Sequence, residues 1–178
     1  MSAVRASTTR GAAPVERWNP PDCGEIDIAI DGEGRWSYRS SPIERVGLVK
    51  LFASVLRKDG ERYVLVTPVE KLGIRVEDVP FLAVDMASET TGQGEQLVFR
   101  TSLDDLVRCD GEHPLRFAVD AGNGGLKPYI RVRGELWARL SRSVTLELVE
   151  HAEERIVDGV ARIGVASAGS FFPIDPAA

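Results

Sequence analysis

The sequence predicts an α+β protein of two related domains, each a curved, mostly antiparallel sheet packed on one amphipathic helix. Three observations predict it. Short runs rich in β-branched and aromatic residues recur along the chain, broken by Gly, Pro and Asp clusters. Two stretches of helical apolar spacing stand far apart, with strands consecutive between them, which favours α+β over a doubly wound fold. Residues 36–66 and 131–166 also share the order strand, helix, strand. The expected organisation is a loose tail over residues 1–17, an N-terminal domain over 18–86 and a C-terminal domain over 87–178.

Taken in order, Glu25 to Ile30 alternates charged and aliphatic residues and pairs as a hairpin with Arg35–Tyr38 across Asp31-Gly-Glu-Gly34. Ser41, Pro42 and Glu44 read as a capped helix start. The apolar stripe Ile43, Val46, Val49, Leu51, Phe52, Val55 and Leu56 then predicts a helix ended by Asp59-Gly60. Arg62–Thr67 is a strand that Pro68 terminates. Ile74–Val76, Phe81–Met86 and Gln96–Thr101 continue the sheet. In the second half, Leu115–Val119 and Tyr129–Arg133 are strands around the loop 120–125. Gly134-Glu135 opens a helix expected to reach Glu150, a polar turn covers His151–Gly159, and Val160–Ala166 closes the domain.

Composition bounds the rest. The chain has 178 residues, 43% of them hydrophobic, enough for a core without covalent staples. Twenty-two basic and 27 acidic residues leave a net charge of −5, which argues against nucleic acid and membrane surfaces as partners. Two cysteines, Cys23 and Cys109, lack motif spacing, so a reducing, cytoplasmic setting is expected. No apolar run approaches the roughly 18 residues of a spanning helix.

Each chemistry-bearing group admits a functional and a structural reading. Thr67, Glu70 and Lys71 could line a polar pocket, or simply cap a turn. Glu77 and Asp78 offer paired carboxylates, but neighbouring strand residues face opposite ways, and an Asp before Pro80 also signals a turn. Arg131 and Arg133 share one strand face, and Arg139 and Arg142 share a face of the expected helix. Their forked donors match phosphate or carboxylate, though snorkelling around a core explains them too. Trp36, Phe81 and Trp137 could stack on a flat ligand or anchor the core. Gly122–Gly125 precedes a strand, so it reads as a hairpin loop and not as a phosphate loop. His113 and His151 join no zinc-spaced set, and no nucleophile elbow occurs, so no catalytic residue, metal site or cofactor is expected.

Several segments together resemble the bacterial domain-of-unknown-function family DUF1285. They are Asp31-Gly32 with Trp36, Ile43-Glu-Arg45 with Leu48–Phe52, Thr67–Lys71, Val76–Phe81, His113-Pro-Leu115 and Leu136–Arg142, spread over residues 18–173. The resemblance implies two related domains, the second superficially like a pleckstrin-homology barrel. It also implies a ligand site where the domains meet, for a nucleotide-like molecule in signal transduction.

The expected function is a non-enzymatic module binding a small anionic ligand, with Arg45, Thr67, Glu70, Lys71, Arg131, Arg133, Trp137, Arg139 and Arg142 as ligand-binding candidates. The alternatives are a metal-assisted enzyme acting on a phosphorylated small molecule through Glu70, Glu77 or Asp78, and a protein-interaction module. A homodimer is compatible with each.

Overall fold

The structure, a computed structural model, describes residues 13–174. These residues form two compact units: 13–31 with 35–77, and 32–34 with 78–174. The 86/87 boundary expected from the sequence falls inside a strand, Phe81–Thr91. Residues 1–12 of the expected tail lie outside the described part. Val15–Arg17 forms a 3-10 turn whose Val15 is buried.

The first unit is a six-stranded sheet and one helix. Its elements are β1 (Asp22–Ile30), β2 (Trp36–Tyr38), β3 (Ser41–Pro42), α1 (Val46–Ser54), β4 (Leu56–Asp59), β5 (Arg62–Val66) and β6 (Lys71–Val76). The strand order is β3-β2-β1-β6-β5-β4. The chain thus makes one meander, passes through α1 and makes a second, whose last strand lies parallel to β1 with Ile30 opposite Val76. Ile28, Ile30, Trp36, Val49, Ala53, Leu56, Val64 and Ile74 make its core.

The expected helix start is corrected here. Arg39 and Ser40 both have positive φ, 48° and 64°, so Tyr38–Ser41 turns back as a tight hairpin and Ser41-Pro42 becomes an edge strand. Proline is tolerated there because an edge N–H needs no ladder partner. Arg45 takes the N-cap position, and it makes no side-chain cap bond. The helix also stops earlier than expected. Arg57, Lys58 and Asp59 sit on β4, and Gly60-Glu61 is the β4–β5 turn, with Gly60 at φ 62°.

The second unit carries β7 (Phe81–Thr91), β8 (Gly94–Thr101), β9 (Leu106–Arg108), β10 (Leu115–Val119), β11 (Leu126–Arg133) and β12 (Leu136–Leu140). After them come α2 (Arg142–Glu150), β13 (Ala152–Val157), β14 (Val160–Ser167) and β15 (Ser170–Pro173). Strands β7 to β12 form a sheet of order β10-β11-β12-β7-β8-β9, with β12 parallel to β7. This repeats the first sheet: two meanders, the last strand parallel to the first. The repeat runs β1–β6 against β7–β12 and does not coincide with the 36–66 and 131–166 layout read from sequence, since 131–166 leaves this sheet after β12 and continues through α2 into β13 and β14.

Helix α2 packs on this sheet through Val144 and Leu148. The three-stranded sheet β13-β14-β15 is tied to it by Ser167, which is fully buried, accepts from the Leu97 N–H at 2.9 Å and donates to the Cys109 carbonyl at 2.7 Å. Two further expectations change. Leu136–Leu140 is a strand, so Arg139 is not helical and α2 begins only at Arg142. The expected polar turn at 151–159 is mostly β13, joined to β14 by Asp158-Gly159 at φ 52° and 79°, a hairpin turn.

Candidate functional site

The strongest concentration of binding chemistry lies on one face of β10, β11 and β12. Directly opposed residues in a sheet point to the same side. Arg116 opposes Tyr129, which opposes Arg139; one step along, Arg131 opposes Trp137. The opposite side carries Leu115, Ile130 and Ala138, which are buried in the core. The alternation of each strand therefore puts guanidiniums and rings together on the outer side.

Aromatic rings fix these cations. The Arg116 guanidinium lies 4.9 Å from the Tyr129 ring centroid and 4.6 Å from that of Trp137. Arg131 lies 5.4 Å from the same indole. Such contacts contribute about 0.5–1 kcal/mol each at an exposed site and restrict the guanidinium without using its N–H groups. Arg116 is exposed and makes no hydrogen bond or ion pair with the described residues, so its N–H groups are open to an incoming anion.

The other cations already have carboxylate neighbours. Arg131 donates to Glu135 at 3.0 Å and Arg139 to Glu33 at 2.8 Å. Lys127 stands 3.9 Å from both Asp78 and Asp120. Tyr129 is buried and its hydroxyl donates to Asp78 at 2.8 Å. Burial, reinforced by the Asp78 carboxylate, pushes the phenol up to about 12, so it remains a donor throughout the physiological range. The Arg131 Nε is buried without a hydrogen-bond partner.

Of the expected site residues, the structure brings Arg131, Trp137 and Arg139 onto this face. Arg133 does not join them. A bulge shifts the register so that Arg133 opposes the buried Leu136, and its guanidinium lies 5.5 Å from the Phe81 ring. Arg142, the exposed first residue of α2, is likewise elsewhere.

In the first unit, Thr67 Oγ1 accepts from the Val69 and Glu70 N–H groups, the geometry of a capped turn. Lys71 pairs with Asp59 at 3.1 Å, and Asp59 takes Arg57 at 2.6 Å. Arg57 in turn donates to the carbonyls of Val15 and Trp18, both at 2.7 Å. The Arg57 guanidinium holds the Asp59 carboxyl below the usual carboxylate range despite its partial burial. This network anchors the chain start, so the partners of Lys71 are structural. Arg45 is exposed at the head of α1.

Trp36 and Phe81 are core residues, 3% exposed each, with Trp36 stacked on Phe52 at 6.3 Å. Asp78 faces Tyr129, while the Glu77 N–H closes onto Ile30. Among the described residues, no group of three or more His, Cys, Asp and Glu side chains is placed to hold a metal ion. Burial pushes the Cys109 thiol up to about 12, so it is not a ready nucleophile.

Two other recesses carry less chemistry. A cavity of about 480 Å³ in the first unit is lined by Ile30, Trp36, Pro42, Arg75 and Val76. The Trp36 Nε1 lacks a partner but is closed off by burial. A polar recess of about 240 Å³ in the second unit has His151 3.8 Å from Glu95 and Arg155 2.5 Å from Glu153.

Two family descriptions match the chain: the DUF1285 N-terminal domain over residues 13–79 and the DUF1285 C-terminal domain over 80–174. The chain belongs to the DUF1285 family. A solved DUF1285 structure from Silicibacter pomeroyi DSS-3 is 43% identical, covers 95% of this chain and 90% of its own, and superposes with a TM-score of 0.85. Another, from Shewanella baltica OS155, is 28% identical over 69% of this chain and 90% of its own, with a TM-score of 0.55. No curated protein matches the chain. The family is described as of unknown function.

Sequence reading missed Arg116, Tyr129 and Glu33 as members of this face. The signal for Arg116 was present: it alternates with buried Leu115 in a strand whose hairpin partner carries Tyr129. The signal for Glu33 was absent, because its partner Arg139 lies 106 residues away.

Proposed function

We propose that this chain is a non-enzymatic binding module for a small anionic, nucleotide-like ligand, received on the Arg116–Trp137 face of the second unit. The observation that carries the reading is Arg116, whose guanidinium contacts the Tyr129 and Trp137 rings and has no polar partner among the described residues. A guanidinium fork held in place loses little freedom on taking a phosphate or carboxylate. The carboxylates around it, Asp78 and Glu135, suit hydroxyl or amine donors elsewhere on the ligand. A module that binds without an acid–base pair or a nucleophile suits ligand sensing in signal transduction.

Thermal-shift measurements with AMP, cyclic AMP, ATP and pyrophosphate test the reading on wild-type protein and on Arg116→Ala. At least one anion is expected to raise Tm in the wild type. The variant should bind it roughly 10- to 100-fold more weakly, the loss of one charge-assisted bidentate contact. Equal shifts in both proteins, or no shift from any anion, would remove the basis for the proposal.

A further inference from the structure

We infer that Glu33 is a built-in competitor on this face, an internal anion that occupies Arg139 and has to leave when the ligand binds; the inference rests on the anion-binding reading above. Three observations lead to it. First, Arg139 donates to the Glu33 carboxylate at 2.8 Å, so that carboxylate marks where an anion sits on this guanidinium. Second, the segment carrying Glu33 is seated on the same row of the sheet. Arg139 opposes Leu82, and a Cβ on Gly34 would stand 3.2 Å from the Leu82 Cβ. Gly34 also has φ 75°, so glycine is what permits this approach. Third, the pair can exchange. The Glu33 side chain is 56% exposed and that of Arg139 23% exposed, so water can replace either partner.

The arrangement differs from the other carboxylate on the face that pairs with an arginine. Glu135 lies four residues from Arg131 and satisfies it within its own turn. Glu33 arrives from 106 residues away to meet a cation in the same row as Arg116, which has no polar partner among the described residues. Two strand spacings, about 10 Å, separate the backbones of Arg116 and Arg139. A ligand with anionic groups at both ends of that span meets a free fork at Arg116 and an occupied one at Arg139. The ligand class is therefore an extended polyanion such as a nucleoside diphosphate or triphosphate. Its second anionic group takes the place of the Glu33 carboxylate.

Titration calorimetry of the full chain with pyrophosphate and with ATP, at low ionic strength, tests this on wild type, Glu33→Gln and Arg116→Ala. Removing the competitor should tighten ATP binding roughly two- to fivefold, the worth of one exposed ion pair, and Arg116→Ala should weaken it. A purely structural role for Glu33 would lower Tm in Glu33→Gln without tightening binding, and that result overturns the inference. If Arg116→Ala weakens binding while Glu33→Gln leaves it unchanged, the face stands and the competitor falls. If neither substitution changes the affinity, or neither probe binds any of the three proteins, both readings fall together.

Discussion

Ser167 shows what one hydroxyl can hold. It is fully buried, and it satisfies both the Leu97 N–H and the Cys109 carbonyl, joining the small sheet to the large one of the second unit. Ser167→Ala strands the Leu97 N–H and leaves the Cys109 carbonyl with only the long 3.5 Å bond from Gln96 Nε2, and a buried unsatisfied polar atom costs about 1–3 kcal/mol. Chemical denaturation should show that loss. A change under about 0.5 kcal/mol would mean that the two backbone groups find other partners. Asp59 makes a second residue-scale prediction. Its folded-state carboxyl is held low by Arg57, so its contribution is complete above the ordinary carboxylate value and fades as pH falls through the lower folded value. Asp59→Asn should therefore lower Tm at pH 7. The gap between variant and wild type should narrow below about pH 4. A gap that widens with acid would contradict the ion-pair account.

Among the elements, the two helices make a matched test of capping. Ser141 caps α2 by accepting from the Val144 N–H at 3.3 Å, whereas Ser41 lies on an edge strand and caps nothing. Ser141→Ala should cost about 1 kcal/mol, the usual worth of an N-cap, and Ser41→Ala a few tenths at most. The reverse order would restore the helix start read from the sequence pattern. Gly164 on β14 is a packing constraint of another kind. A Cβ there would meet the Phe172 carbonyl oxygen at 2.5 Å and the Phe171 ring at 2.6 Å. Gly164→Ala should destabilise by about 1–3 kcal/mol through overpacking, read by denaturant midpoint, and a neutral substitution would show that β15 can shift. The strands were the legible part of these elements, because β-branched runs and their Gly and Pro borders follow from local sterics. The helix boundaries were not. Positive φ at Arg39 and Ser40 carries no strong residue signal, and the alternation Leu136-Trp-Ala-Arg-Leu140 admits a helix as readily as a strand until β7 supplies a parallel partner.

At the scale of the whole molecule, the two six-stranded sheets share one topology, and the chain changes from one unit to the other between Glu77 and Asp78. The two DUF1285 domain matches meet at 79/80, next to that point. Two domains of sheet and helix were readable from the sequence, although the two strand–helix–strand stretches that suggested them are not equivalent, since α1 lies between the meanders of its sheet and α2 follows its sheet. The strand-by-strand correspondence of the two sheets was not readable, since parallel pairing of β1 with β6 and β12 with β7 is long-range and leaves no spacing signature. The face proposed to bind was half legible for a similar reason. Arg131, Trp137 and Arg139, which share that face, drew notice because cations and aromatics stood out in one segment. Arg133 was misassigned to the same side because a bulge cannot be seen in alternation, and Arg116 escaped because its ring partners come from two other strands.

The central claim is that this face receives an anionic ligand at Arg116, and an amide-resolved NMR titration of the full chain with ATP tests it most directly. The account predicts saturable shift changes concentrated on Arg116, Tyr129, Arg131, Trp137 and Arg139, and their loss in Arg116→Ala. Changes centred on the α1 or β4–β6 residues, or a spectrum unmoved by ATP, would contradict it.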